Sequence, residues 1–469
     1  LVVMGNPPYS VSSTNKGEWI EGLMNTYKEA VRSERNIGPL SDDYIKFIRF
    51  AQDRIERTEQ GIVAFITNHA YLSGLIHRGM REQLTRAFNN IYILNLHGNA
   101  ISGDVNPNGG IDENVFDIRQ GVSIILMVKE KDGEELSKIS YFDLWGSRDF
   151  KYSFLSESDI ITTPWQALEP HLPHYFFQPI DLSLSNELVD APRLVEIFGT
   201  GTPKKDQGKR WGSGVKTNRD RLLTDIDRKN LVARIQLLAN NEIPDDVIRT
   251  QFDLEDGRYW DTSRERQKIR NENWRQNTVA YLYRPFDKRW VSYQPNLIEI
   301  GRGGASKFVM RHMLRANLSL CAMRQVVGDP FHHAFVSNSI NDINILANHH
   351  VSQASFPLYI YSFENDSNQK QNSWLNESVW QPDKTNQGRI PNLSPDFITG
   401  LEAKLGLRFQ PIQRAVEEGE FGPEDVFYYL YAILHSPTYR QRYAEFLKID
   451  FPRVPLTSDP ALFRALAAL

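Results

Sequence analysis

One cysteine, Cys321, is all the thiol chemistry in a chain of 469 residues. That excludes an intramolecular disulfide framework and any Cys-rich zinc site. No apolar run approaches the roughly 18 residues that cross a bilayer. No charged start followed by an apolar stretch and a small-residue cleavage site marks a secretory signal. Charge of one sign is lacking too: 54 Lys and Arg face 58 Asp and Glu, a formal −4, so the molecule as a whole is no polycation. Internal repeats are absent. What is present is a globular composition, 41% hydrophobic and 24% charged, at a length that suits two to four domains. The expectation is a protein of a reducing compartment, with no membrane partner.

The chain opens with Leu1-Val2-Val3-Met4-Gly5, a buried strand already running at the first residue, which suggests a fragment of something longer. Residues 1–130 read as α/β. Short apolar strands at Leu1–Met4, Ile62–Ile66, Ile91–Leu96 and Val122–Val128 alternate with helical patterns at 41–57 and 74–89. Ser41-Asp42-Asp43 reads as an N-cap with acids in the first turn. Tyr44, Phe47, Ile48 and Ala51 recur at the spacing of one helical face. Strands alternating with helices predict a largely parallel sheet covered on both faces. From about 150 the texture changes, with Pro164, Pro170, Pro173 and Pro179 marking an irregular connector. Residues 190–370 are aromatic, turn-rich and locally basic, with strand-like runs at Val279–Tyr283 and Trp290–Tyr293. Asn365–Asn376 reads as a polar surface loop, and the last 75 residues as helical, striped by Phe427, Tyr428, Leu430, Tyr431 and Leu434.

Asn6-Pro7-Pro8-Tyr9 directly follows the first strand. Two prolines cannot donate to a ladder or continue a helix, so they freeze an extended turn at the strand's carboxyl end. Ligands sit there in open parallel sheets. The turn leaves the Pro7 carbonyl as an acceptor and fixes the Asn6 amide beside it as a second. An exocyclic amine with two hydrogens needs such a pair. Accepting both N–H bonds draws the nitrogen toward tetrahedral geometry and frees its lone pair for an electrophilic methyl. Tyr9 offers a ring face on which a planar base can stack. The plain alternative is a rigid turn and nothing more.

GNPPY resembles the catalytic motif of amino-group S-adenosylmethionine-dependent DNA methyltransferases, in the order where the cofactor motif precedes the catalytic one. Further blocks follow in the family's sequence. DYIKFIRFAQDRI resembles the motif whose aromatic flanks the cofactor's adenine, which places Phe47 in that role. GIVAFITNHAYLSG resembles the next strand-and-turn block. ENVFDIRQGVSIILMVK resembles the motif that supplies the second stacking face for a flipped base, which would be Phe116. Core packing is the alternative for both aromatics. GSGVKTNRDRLL, YLYRPFDKRWVSY, FPLYIY and VFYYLYAILHSPTYRQRYAEFLKIDFPRVPL are similar to blocks of the target-recognition region in large single-chain restriction–modification enzymes of the type ISP group.

The resemblance implies an α/β fold. The C-terminal part of a Rossmann-like methyltransferase sheet (the catalytic half, 1–150) leads through a connector (151–190) to a mixed α+β target-recognition domain (191–395) and a helical C-terminal region (396–469). It implies a prokaryotic cytoplasmic enzyme that methylates adenine N6 at specific DNA sites, with double-stranded DNA and S-adenosylmethionine as partners. The family's glycine-rich cofactor loop and ribose-binding acid precede NPPY and are not in this sequence. Gly301-Arg302-Gly303-Gly304 comes too late to replace them, so the cofactor site is expected to be incomplete. A missing N-terminal half and nuclease and motor domains would complete the parent. Two other readings stand beside this one: a DNA-binding recognition fragment inactive by itself, and a protein-glutamine methyltransferase, since those enzymes also carry NPPY.

Duplex binding relies on Lys and Arg neutralising phosphates. Residues 201–221 carry seven basic and two acidic side chains, residues 258–289 nine and four, and residues 300–328 five and none. Such clustering suits a face that meets a polyanion. The candidate DNA-binding residues are Lys204, Lys205, Lys209, Arg210, Lys216 and Arg219. Trp211 reads as a wedge or as a partly buried anchor. Lys307, Arg311 and Arg315 fall on one helical face, with Arg302 nearby. The pairs His332-His333 and His349-His350 lack the partners of a metal site. Asp104, Asp112, Glu113 and Asp117 form an acidic loop without the lysine a nuclease needs. His435-Ser436-Pro437 reads as a helix end.

Overall fold

The computed structural model of the chain describes residues 1–469 apart from 11–12, 33, 35–36, 101–105, 108, 132–136, 181–183, 189, 200–209, 258–259, 271–273, 295–296, 299–308, 327–330, 347–352, 362–387 and 413–418. It divides into two compact units, residues 1–182 and 183–469.

The first unit is a six-stranded sheet with helices on both faces. Its strands are β1 (Val2–Gly5), β2 (Gly61–Asn68), β3 (Asn90–His97), β4 (Val122–Lys129), β5 (Lys138–Asp143) and β6 (Gln166–Leu168), in the order β1-β2-β4-β3-β5-β6. Val63 and Phe65 of β2, Ile91 and Ile93 of β3, Ile125 and Met127 of β4, and Ile139 and Tyr141 of β5 are buried together. They face α1 (Glu18–Lys28), α2 (Asp43–Thr58) and α3 (Arg78–Ala87). The alternate positions Leu94, Leu96, Val122 and Leu144 form a second cluster with Phe154 and Leu155 of α4 (Arg148–Glu157). Two-residue alternation thus feeds both faces, as a sheet buried on both sides requires.

The sheet is mixed rather than largely parallel. β1 runs parallel to β2 and β3 parallel to β5, while β4 lies antiparallel to both β2 and β3, and β6 antiparallel to β5. The physical reason is the β3–β4 connection. No crossover helix is found among its described residues, and without one the chain returns antiparallel to the strand it left. These directions place the carboxyl ends of β1, β2, β3 and β5, and the start of β4, on one edge of the sheet.

Tyr44, Ile48, Ala51 and Ile55 form the buried stripe of α2, each large side chain contributing about 1.5–3 kcal/mol. Phe47 is not part of it: the ring is 44% exposed, because residue 47 sits a step around the helix from the stripe. Asp42 occupies the N-cap position but makes no side-chain cap bond there.

In the second unit, β7 (Thr224–Asp225), β8 (Thr278–Arg284), β9 (Asp287–Ser292) and β12 (Ile340–Asn341) form a sheet ordered β12-β8-β9-β7. β10 (Ser319–Ala322), β11 (Ala334–Ser337) and β13 (Ala354–Pro357) form another, ordered β11-β10-β13. Helices Arg228–Ala239, Asp245–Phe252 and Thr262–Arg270 enclose Leu231, Ile235, Ile248, Phe252 and Ile269. The C-terminal part is helical as the sequence predicts: Pro395–Leu405, Pro423–His435, Pro437–Arg442, Ala444–Ile449 and Pro460–Ala468. Phe427, Leu430 and Leu434 are buried there, while Tyr428 and Tyr431 are half-buried at the cluster's rim. Among the described residues no helix is long and apolar enough to cross a membrane.

Candidate functional site

The Asn6–Tyr9 turn leaves the carboxyl end of β1 at the edge described above. Asn6 and Pro8 are exposed, Pro7 is buried and Tyr9 is half-buried. Among the described residues neither the Asn6 amide nor the Pro7 carbonyl has a hydrogen-bond partner. The turn is tied down just beyond Tyr9. The Ser10 amide donates to Asp42 Oδ1 at 2.7 Å, and the Asp43 amide donates to the Ser10 carbonyl at 3.3 Å. Burial holds the Asp42 carboxyl above its usual range, against the pull of the Ser10 amide. Tyr9 stands edge-on to Tyr44, with ring centroids 6.0 Å apart. Burial, with Asp42 nearby, pushes its phenol up to about 12.

Phe116 lies at the same edge. Tyr9 and Phe116 both pack against the apolar cluster of Leu94, Leu96, Val115, Val122 and Leu144. The backbone that carries Phe116 is gripped by α4. Arg148 Nε donates to the Asn114 carbonyl at 2.8 Å and its Nη2 to the Phe116 carbonyl at 3.1 Å. The Tyr152 hydroxyl donates to the Val115 carbonyl at 2.6 Å. Lys151 Nζ donates to the carbonyls of Leu96 at 2.7 Å and Glu113 at 2.6 Å, and pairs with Asp112 Oδ1 at 2.6 Å. Asp112 in turn accepts from the Gly98 amide at 2.7 Å. Gly98, at φ +74°, must be glycine: a Cβ there would lie 2.4 Å from the Asn114 Cα. Within the acidic loop, then, Asp112 is a structural anchor. Asp117 pairs with Arg148 at 2.8 Å, and Asp104 lies outside the described residues.

The ends of β2, β3 and β5 add a polar cluster to the edge. His97 Nε2 is 2.5 Å from Asp143 Oδ1, and the Tyr141 hydroxyl also donates to Asp143. Asn95 Nδ2 donates to the Tyr141 oxygen at 3.0 Å, and Asn95 Oδ1 lies 3.1 Å from His69 Nδ1. Trp145 stacks flat on His97. Phe47, assigned to a cofactor's adenine by resemblance, is not part of the core; its ring lies exposed on α2.

Of the candidate DNA-binding residues in the second unit, Lys204, Lys205 and Lys209 lie outside the described residues, as do Arg302, Lys307 and the 365–376 loop. Trp211 is an anchor, packed against Phe356 and Phe451 at 5.7 and 5.4 Å. The Arg210 carbonyl accepts from Asn392 Nδ2 at 2.7 Å, and its guanidinium approaches the Leu393 carbonyl at 3.4 Å. Lys216 and Arg219 line a cavity of about 320 Å³ together with Arg221, Arg284, Asp253 and Asp342. Gly214 lets the chain running from Gly212, bridged to Ser355, to Val215, bridged to Asp342, pass close by 341–342, since a Cβ there would meet the Asp342 carbonyl at 2.3 Å. That close approach presents Lys216–Arg221 at the cavity. Arg219 is held with its Cζ 3.9 Å from the Trp260 ring centroid.

Not all of the positive excess is surface. Arg266 is buried, donating to the carbonyls of Leu238 and Ile243 at 2.8 Å each and pairing with Asp245. Arg264 and Lys268 both pair with Glu265 at 3.0 Å. Residues 311–314 form a 3-10 turn and Arg315 beyond it is extended, so among the described residues Arg311 and Arg315 share no helical face, and Lys307 lies outside them. Among the described residues no three His, Cys, Asp or Glu come together to hold a metal ion.

Sequence reading missed the α4 clasp. Arg148, Lys151 and Tyr152 sit at the three- and four-residue spacing of one helical face, which is the signal that was available. It missed His97, Asp143 and Trp145 because only the sheet order joins them.

Residues 209–469 match the family model of the Type ISP C-terminal specificity domain. Among solved structures the fold is similar to that in a cryoEM structure of a DrdV–DNA complex, with a TM-score of 0.68 and 22% identity, covering 100% of this chain and 43% of that one. It is similar to the ATP-dependent Type ISP restriction-modification enzyme LlaBIII bound to DNA, with a TM-score of 0.64 and 21% identity, covering 100% and 29%. It is also similar to a nuclease-deletion mutant of the Type ISP restriction-modification enzyme LlaGI in complex with a DNA substrate mimic, with a TM-score of 0.62 and 20% identity, covering 100% and 41%. The chain spans less than half the length of each. No curated protein sequence matches it.

Proposed function

The chain belongs to the family of the Type ISP C-terminal specificity domain, and from that premise we propose that it is the base-holding and sequence-reading part of a restriction–modification enzyme that methylates adenine N6 in DNA. The first unit is read as the C-terminal part of a Rossmann-like methyltransferase sheet, the second as the region that recognises the target. The larger enzymes among its structural neighbours support a longer protein, with further domains working on the same duplex.

One observation carries this reading. At one sheet edge stand an exposed amide and a free carbonyl, with two aromatic rings on a shared apolar cluster. In the duplex the adenine amine is inaccessible, so the base must leave the stack. Asn6 Oδ1 and the Pro7 carbonyl would accept its two N–H bonds, and Tyr9 and Phe116 would flank its ring. The turn is rigid and tied by Asp42, so the two acceptors are held in place before the base arrives. S-adenosylmethionine would supply the electrophilic methyl, and the exposed Phe47 ring fits its adenine as a stacking surface. After transfer the nitrogen sheds one proton to solvent or to a polar group of the edge.

A second reading, that this chain binds duplex but transfers no methyl by itself, draws on the family match, which lies wholly within residues 209–469. Incubating the purified chain with labelled S-adenosylmethionine and adenine-containing duplex separates the two. Label recovered as N6-methyladenine removes the second reading. Duplex binding without label leaves the methyl transfer to a longer form of the protein.

A further inference from the structure

β8 and β9 are joined by only two residues, Pro285 and Phe286, since Arg284 and Asp287 are paired in register. Phe286 has φ +64°, and its side chain is 87% exposed. Both features are costly. After a proline, the second central residue of such a turn takes left-handed backbone, which belongs to Gly or Asn. A bulky aromatic there is an outlier of the kind that clusters at functional sites. The fold gives the ring little in return beyond an edge contact with Phe335, centroids 5.4 Å apart.

The surroundings say what kind of partner would meet it. Lys288, next but one along, is exposed. Arg284 and Arg289 lie with Cζ 4.0 and 3.9 Å from the Tyr283 ring centroid, so both guanidinium planes are held at the hairpin's base. The Tyr283 hydroxyl is anchored on Asp220 Oδ2 at 2.8 Å. Arg284 also pairs with Asp342 at 2.9 Å and Arg289 with Asp287 at 2.8 Å. Arg284 lines the cavity that Lys216, Arg219 and Arg221 share. A protein groove would call for a contiguous apolar patch. A single ring at the tip of a short hairpin, with cations on both sides, matches the stacked bases and flanking phosphates of a polyanion.

We propose that Phe286 is an apolar wedge that enters a base step of bound duplex DNA, with Arg284, Lys288 and Arg289 set against the adjoining phosphates. This rests on the DNA-binding reading above and adds a deformation to it: the step that receives the ring unstacks.

The test uses the full chain and a duplex selected by it from a randomised pool, with each adenine replaced in turn by 2-aminopurine. Apart from the extruded target adenine, wild-type chain should raise the fluorescence several-fold at one or two adjacent positions. Phe286→Gly and Phe286→Ala should abolish that rise, weaken binding by no more than about tenfold, and leave the salt slope unchanged, since the ring neutralises no phosphate. Phe286→Gly should also raise the thermal midpoint by relieving the left-handed strain, so misfolding cannot account for its loss of signal. If the chain selects no duplex, the DNA-binding reading itself falls. If it binds with the expected salt dependence but no position besides the extruded adenine responds, or Phe286→Gly leaves that second response intact, the wedge alone is overturned.

Discussion

Lys151 Nζ lies 2.6 Å from Asp112 Oδ1, and the two side chains are 0% and 1% exposed. This buried pair joins a helix on one face of the sheet to the loop that carries Phe116. It is completed by the Leu96 and Glu113 carbonyls, so the ammonium's remaining protons are also satisfied. A buried pair so completed is tolerable; either half alone is not.

Lys151→Met should therefore destabilise the first unit by about 3–5 kcal/mol by stranding the Asp112 carboxylate, and Asp112→Leu should cost a similar amount. The double variant should cost much less than the sum. Denaturant unfolding of all four proteins measures the coupling. Additive losses would show that the pair contributes nothing beyond its separate packing.

His77 predicts acid sensitivity. Burial, with Arg81 beside it, pushes the imidazole down to about 3. A depressed base takes up its proton only in the unfolded chain, so the contribution is complete above its ordinary pKa of about 6.5 and is lost as pH falls toward 3, at about 1.4 kcal/mol per pH unit. His77→Leu should flatten the fall in unfolding midpoint across that window. A slope unchanged by the substitution would place the sensitivity elsewhere.

Asp42 makes the opposite prediction. Burial raises its carboxyl above the ordinary value, so its contribution is greatest at low pH and is lost as pH rises through the raised folded value. Asp42→Asn keeps an oxygen for the Ser10 amide and should match or exceed wild-type stability at neutral pH. Asp42→Ala leaves that amide without its acceptor and should cost about 1–2 kcal/mol. Calorimetry at neutral pH distinguishes the two variants, and equal losses would contradict the Ser10 anchor.

Replacing Lys216, Arg219 and Arg221 by Gln should weaken duplex binding across all sequences and reduce the salt slope by roughly one for each phosphate no longer neutralised. Fluorescence anisotropy at several salt concentrations reads it. Weakening confined to one sequence would mean these side chains read bases instead.

Local signals carried the sequence reading as far as they reach. The apolar run before NPPY gave β1, although that strand, read as buried, lies mostly exposed at the end of the sheet, and the stripe of Tyr44, Ile48 and Ala51 gave α2, because strand and helix periods are written within a few residues. The mixed direction of the sheet was not legible, since β4 inserts between β2 and β3 only through long-range pairing. Phe47 looked like part of the stripe because three-residue spacing does not say which edge of a helical face is covered. Arg266 looked like a surface cation because charge counts ignore the carbonyls that can bury a guanidinium. The site divides in the same way. The NPPY turn is contiguous and visible, and Phe116 was found through its motif's resemblance, whereas His97 and Asp143 meet them only at a shared sheet edge.

The most direct test is Asn6→Ala, made in a form of the protein that transfers methyl. Asn6 is exposed, and no bond to a described residue depends on its amide, so folding and duplex affinity should stay within about twofold of wild type. Transfer of labelled methyl to adenine N6 should fall by at least about a hundredfold, in the range set by loss of one preorganised hydrogen-bonding group at a reacting centre. Methylation at the wild-type rate by Asn6→Ala would contradict the assignment of this turn as the holder of the acceptor amine.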